Sequence, residues 1–226
     1  MKEKILFVVT SHGELGSTGK PTGYYLSEVT HPWDELCGQY EIDIASPKGG
    51  EPPVDGFDLK DPVNKKYWDD EAWRKKMADT MKPSEVDPSL YKGIFYAGGH
   101  GVMWDFPDNK ELASICARVY ENGGVVGAVC HGPAGLLNVI LSNGERLIKS
   151  KRLNSFTNEE EQANGTAMIV PFPLQTALEE KGANYEHAPK WSDFAIVDGR
   201  LVTGQNPMSA KKVGKLMLNL LGNVDR

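Results

Sequence analysis

The 226-residue chain is sparing with cysteine: Cys37, Cys116 and Cys130 stand far apart and form no C-x-x-C pair. An odd, dispersed set excludes a disulfide framework and a cysteine-based zinc site. Cys37 in "WDELCGQY" and Cys116 in "ELASICARVY" fall at helical spacing from apolar neighbours, as small buried hydrophobes do. A basic surplus is missing too. Lys and Arg number 25 against 31 Asp and Glu, a net charge of −6 without charge blocks, so nucleic acid is excluded as a partner. Long apolar runs are also lacking: "ILFVV" at 5–9 is too short for a signal-peptide core or a membrane span. No membrane association is expected, and the cytoplasm is the expected compartment. With no HExxH, no P-loop and no GxGxxG after a strand, no metal or other cofactor is expected either. Repeats and low-complexity segments are absent, and one domain spanning 1–226 is the simplest division for this length.

What is present alternates. "KILFVVT" (4–10), "YEIDIAS" (40–46), "GIFYAGG" (93–99), "GVVGAVC" (124–130) and "RLNSFT" (152–157) read as strands, with helices predicted at 30–37, 108–122 and 133–142. This is the pattern of an α/β, doubly wound, mostly parallel sheet with helices on both faces. Ligands of such sheets collect beyond the carboxyl ends of the strands, so the loops after 10, 97 and 129 should meet. The proline-rich, charged segment 47–90 interrupts the rhythm, either as a lid or as packing through Trp73 and Met77. Beyond residue 170, a helix closed by Gly182, a hairpin about Asp198-Gly199 and an amphipathic helix at 208–222 read as scaffold.

The chemistry concentrates in "VVGAVCHGPAGLL" (125–137). A buried strand that drops into Cys-His-Gly-Pro implies a sharp elbow presenting Cys130, with a helix N-terminus beneath it to lower the thiol pKa from about 8.5. His131 supplies a base beside the sulfur; the competing reading is a buried structural cysteine next to a half-exposed histidine. A second turn, "AGGHGVMWD" (97–105), offers Gly98 and Gly99 as oxyanion donors opposite the His131 N–H, and His100 either touches substrate or is bonded locally. Glu28, in "LSEVTHPW", precedes the predicted first helix and either points into the crevice or is a solvated cap. "SFTNEEEQAN" (155–164) reads most simply as a solvated helical turn, though one of its glutamates could reach His131.

Taken together, "AGGHGVMWD", "GAVCHGP", "LSEVTHPW", "DIASPKGG" and "SEVDPSLYKGIFYAGGHG" resemble the ThiJ/PfpI superfamily, specifically its heat-shock chaperone class that includes glutathione-independent glyoxalase (glyoxalase III). The resemblance runs from Ile5 to Leu221 and includes the 47–90 insertion. It implies a flavodoxin-like fold, with Cys130 as nucleophile, His131 beside it and Glu28 bonded to the sulfur. The third acid of the class falls on Glu161, with Glu159 at the other acidic position and an extra Glu160 between them. The implied reaction is cofactor-free conversion of methylglyoxal or another small 2-oxoaldehyde to a 2-hydroxy acid by a cytoplasmic homodimer. The class also implies two alternatives, a holdase that binds unfolding proteins and a protein deglycase. The amidotransferase branch carries a late His-x-Glu pair, and here the late histidine reads "HAP" (187–189).

Overall fold

Runs of Ile, Val, Phe and Tyr assemble, in a computed structural model that describes residues 2–224, into one six-stranded sheet. Its strands are β1 (Lys4–Val8), β2 (Glu41–Ala45), β3 (Tyr91–Tyr96), β4 (Val125–Val129), β5 (Ala195–Asp198) and β6 (Leu201–Gly204). They lie side by side in the order β2-β1-β3-β4-β6-β5. Every neighbouring pair is parallel except the terminal β5/β6 hairpin. Strand order reverses between β1, which leads to β2 on one side, and β3 on the other. Loops leaving β1 and β3 therefore diverge there and open a crevice at their carboxyl ends.

Period-two alternation divides the core between the two faces of the sheet. Leu6, Ile94, Tyr96 and Val126 meet Leu112, Cys116 and Val119 of α2 (Lys110–Glu121). On the opposite face, Ile5, Phe7, Phe95 and Val125 join Val29, Trp33 and Leu36 of α1 (Leu26–Leu36) and Val213, Met217 and Leu221 of α4 (Ala210–Val224). Cys116 is fully buried and Cys37 half-buried. Among the described residues, no helix is long and apolar enough to cross a membrane.

Several elements depart from the sequence pattern. Helix α1 starts at Leu26 instead of Thr30, which places Glu28 in its first turn and Pro32 in its interior. Pro32 has no N–H to offer the Glu28 carbonyl, so the helix forgoes one bond there. The helix predicted at 133–142 is only a 3₁₀ turn, Gly132–Leu136. Two glycines and a proline within five residues hold no α-helix, and the chain then turns back through an Ile140–Arg146 bridge. The strand predicted at 152–157 shrinks to Arg152–Leu153, paired with Asn184–Tyr185 outside the main sheet. Past Leu153 the Asn154 amide turns to the Thr203 hydroxyl at 2.9 Å, and the strand ends.

Segment 47–90 packs rather than hangs free. Its two helices, Pro62–Asp69 and Glu71–Met77, are capped by the Asp61 and Asp70 carboxylates. The Trp73 ring meets Trp33 of α1 edge-on at 6.1 Å, and Met77 is buried beside it. A two-residue ribbon, Tyr24–Tyr25 with Val54–Asp55, ties this segment to the chain leading into α1.

Phe95 lies fully buried on the central strand with its ring 4.8 Å from Phe7. We expect Phe95→Ala to lower unfolding free energy by about 3–5 kcal/mol in urea denaturation, with the denaturant slope unchanged.

Candidate active site

The turn after β4 forces Cys130 into the left-handed backbone region, φ 59°, a conformation that costs a non-glycine residue about 1–2 kcal/mol. It is held there from both sides: the Cys130 N–H donates to the Gly204 carbonyl at 2.9 Å, and the Phe156 N–H donates to the Cys130 carbonyl at 2.8 Å. The consequence is an elbow that turns the thiol toward the loops following β1 and β3. Contrary to the sequence expectation, the sulfur is not partly exposed; Cys130 retains 4% of its accessible surface. The short 3₁₀ turn beneath it also supplies no long helix dipole to acidify it.

His131 lies beside the thiol and is itself only 1% exposed. Its Nδ1 stands 3.4 Å from the Cys130 Sγ, and its Nε2 stands 2.6 Å from the Glu161 Oε2. A carboxylate only accepts, so the imidazole proton sits on Nε2 and Nδ1 is left to accept from the thiol. Glu161 is on α3 (Asn158–Ala163), whose first turn is closed by a capping box between Thr157 and Glu160. One residue earlier, Glu160 faces the other way. Its Oε1 accepts from the Trp191 N–H, Gln205 and Asn206 at 2.8–3.0 Å, so it fastens three segments together. Glu159 is on the surface, 3.4 Å from Lys190.

Charge is distributed unevenly among these groups. Burial pushes the Glu161 carboxyl up, but the His131 and His100 imidazoles outweigh it and hold the group well below the usual carboxylate range. Burial and the proximity of His100 push His131 down against the pull of Glu161, favouring the neutral ring. For Cys130 the sequence expectation of a lowered pKa reverses: burial raises it, and the neighbouring carboxylates raise it further. The resting pair is thus thiol and neutral imidazole, and a thiolate forms by passing its proton to His131.

Glu28 completes the pocket from α1. It is fully buried, and burial pushes its carboxyl up to about 8 despite the adjacent Cys130 thiol and Gly98 N–H. Neither oxygen completes a hydrogen bond of normal geometry. At neutral pH Glu28 therefore carries a proton. Gly98 has no room for a side chain, since a Cβ there would come within 2.3 Å of the Glu28 Oε2 and 2.7 Å of the Val129 carbonyl. Its N–H faces the Glu28 carboxyl. Gly99 adopts φ 105°, and a Cβ on it would lie 2.1 Å from the Gly23 carbonyl.

His100 is bonded locally, to the same carboxylate as His131. Its Nε2 is 2.9 Å from the Glu161 Oε1 and 3.2 Å from the Thr166 hydroxyl, which also donates to that oxygen. One nitrogen each of His100 and His131 and an oxygen of Glu161 lie within 4.8 Å of one another, and both imidazoles donate to the carboxylate. The Phe156 ring covers His131 at 4.6 Å. Thr166 and Phe156 escaped sequence reasoning: a threonine after Asn-Gly and a phenylalanine in a short strand carry no chemical signal. His187 is exposed, with its ring 3.4 Å from the Ala188 carbonyl. A cavity of about 390 Å³ lined by Tyr24, Trp68, Trp73 and Met77 contains no thiol or imidazole and is not the reactive centre.

Comparison with known proteins assigns the chain to a family. Residues 21–220 match the DJ-1/PfpI family. The chain is 36% identical over 225 residues to glyoxalase 3 of Candida albicans, covering 94% of this chain and 95% of that protein. It is 33% identical over 240 residues to the glutathione-independent glyoxalase HSP31 of Saccharomyces cerevisiae, covering 98% and 99%. Among solved structures, the Francisella tularensis rapid encystment protein 24 kDa superposes with a TM-score of 0.93 at 38% identity, over 97% of this chain and 99% of that one. The crystal structure of glyoxalase III from Candida albicans superposes with a TM-score of 0.90 at 34% identity, over 96% and 97%.

Two outcomes follow from the buried carboxyls. Glu28 binds its proton more tightly when folded, at about 8, than at its ordinary value of 4.5, so its contribution to stability is full below the ordinary value and is lost as pH rises to about 8. Urea denaturation of Glu28→Gln should show an advantage over wild type that grows by a few kcal/mol between about pH 5 and 8.5. Glu160→Gln should cost about 1–3 kcal/mol in the same assay, whereas Glu159→Gln stays within about 0.5 kcal/mol of wild type.

Proposed function

Because the chain belongs to the DJ-1/PfpI family, we propose that it is a glutathione-independent glyoxalase that converts a 2-oxoaldehyde such as methylglyoxal to the 2-hydroxy acid. The observation that carries this reading is the relay from Cys130 to His131 to Glu161, at 3.4 and 2.6 Å, in a chain similar over nearly its whole length to named glyoxalases.

The chemistry is an internal oxidation and reduction of the substrate, so it needs no external electron acceptor. His131 Nδ1 takes the thiol proton while the sulfur attacks the aldehyde carbon, C1, and the protonated Glu28 delivers its proton to the aldehyde oxygen. A hemithioacetal results. The Glu28 carboxylate then removes the hydrogen from C1, and His131 returns its proton to the C2 oxygen, giving an enediol. Glu28 reprotonates the intermediate at C2 as the C1 hydroxyl loses its proton to His131, which leaves a thioester. Water attacks the thioester, releasing one proton to Glu28, while the imidazolium protonates the departing sulfur. Both residues end in their starting protonation states, and the net change is addition of one water. Glu161 stays ionised throughout and stabilises the imidazolium each time it forms.

This assignment gives two carboxyls in one pocket opposite tasks. Glu28 must start protonated and Glu161 must start charged, and their surroundings push them in those directions.

The direct test is lactate formation from methylglyoxal with no added thiol. Wild type should turn over, Cys130→Ala should be inactive, and Glu161→Gln should fall by about 10²–10⁴-fold. Equal lactate formation by wild type and Cys130→Ala would remove the thiol from the reaction.

A further inference from the structure

Glu161 carries two imidazoles, one on each oxygen. His131 holds Oε2 from the buried side, and His100 holds Oε1 from the side that retains solvent contact, its side chain 16% exposed against 1% for His131. The two rings are in contact, centroids 4.3 Å apart and tilted by 44°. We propose that His100 is a positioning residue that competes with His131 for the charge of Glu161, and so decides when the thiol of Cys130 can give up its proton.

A single carboxylate can neutralise one imidazolium, and two imidazolium rings this close repel strongly in a site with little water. As neutral rings, both donate to Glu161 and the carboxylate charge is available to stabilise a proton on His131. When His100 takes up a second proton from solvent it becomes the partner of Glu161. A proton moving from Cys130 to His131 would then create a second cation against the first, and the thiol stays protonated. The other titratable groups around the pair are Cys130 beside His131 and Glu160 of α3, with Glu28 of α1 acting on the thiol behind them. Glu160 is committed to its own ring of donors, and Glu28 is protonated over the relevant range. Neither substitutes for Glu161.

This inference rests on the reading of Cys130, His131 and Glu161 as one reacting unit, but its test requires no substrate. The five histidines are followed by heteronuclear NMR in wild type and in His100→Gln, which keeps an N–H donor for Glu161 and removes the cation. The His131 titration midpoint should rise, by on the order of one pH unit. Alkylation of Cys130 by iodoacetamide at about pH 6 should become several-fold faster, because the neighbouring imidazolium now sits on His131 itself. The sign is diagnostic: if His100 merely packs, its loss loosens Glu161 and the His131 midpoint falls. A midpoint that falls or does not move overturns the proposal. Should His100→Gln fail to fold, His100→Phe, which keeps a ring against His131, is measured instead and the same upward shift is required. A shifted midpoint in a protein inert toward 2-oxoaldehydes would sink the substrate reading alone; an unshifted midpoint in an active enzyme would sink this one alone.

Discussion

The candidate active site depends on one strained backbone position. Cys130 adopts a left-handed conformation that a cysteine does not choose by itself, and it does so because the Gly204 and Phe156 peptide groups claim its N–H and its carbonyl. Those partners come from the end of β6 and from the segment leading into α3. The elbow is therefore a property of the assembled sheet. Release of either bond would let the residue relax toward an ordinary strand exit and swing the sulfur away from His131. The cost of the conformation is small beside the burial of the surrounding core, which is why a fold of this size can maintain it.

A second constraint is electrostatic. The pocket withholds water from a thiol, an imidazole and two carboxyls, and groups so placed cannot all be charged. The structure resolves the conflict by giving Glu161 three donors and Glu28 none of normal geometry. One acid is thereby held ionised and the other protonated, within reach of the same sulfur. Cys130 is not a permanently activated thiolate; it ionises when a base accepts its proton. Its ionisation is therefore coupled to the proton held by His131.

Positioning of these groups follows from topology. Glu28 stands on the helix after β1, Gly98 follows β3 and Cys130 follows β4, three adjacent strands whose carboxyl ends meet where strand order reverses. Glu161 arrives by a different route. The chain leaves β4, makes a 3₁₀ turn, pairs only two residues at Arg152–Leu153 and enters α3 through the Thr157 cap. Glu160 then fixes the orientation of that helix by gathering donors from Trp191 and from the Gln205-Asn206 pair, leaving the next residue turned inward.

Local pattern was enough to read the alternating layers, the crevice and the elbow, because burial of parallel strands writes continuous apolar runs into a chain and sharp turns demand Gly and Pro. Cys130, His131 and the Gly98-Gly99 turn were legible for the same reason: each sits at a strand end visible in "GVVGAVC" or "GIFYAGG". The family resemblance pointed to Glu161, which local pattern alone did not single out from Glu159 and Glu160. What no local pattern contained were contacts between segments far apart in sequence. That Glu161 meets His131 across 30 residues, that His100 shares the same carboxylate across 61, and that the thiol is buried rather than acidified, were decided by packing. Chain order determines which groups are available and on which kind of element they ride. Their protonation depends on which oxygens, rings and amides crowd around each of them once water has been expelled, and that is settled only when the tertiary structure closes.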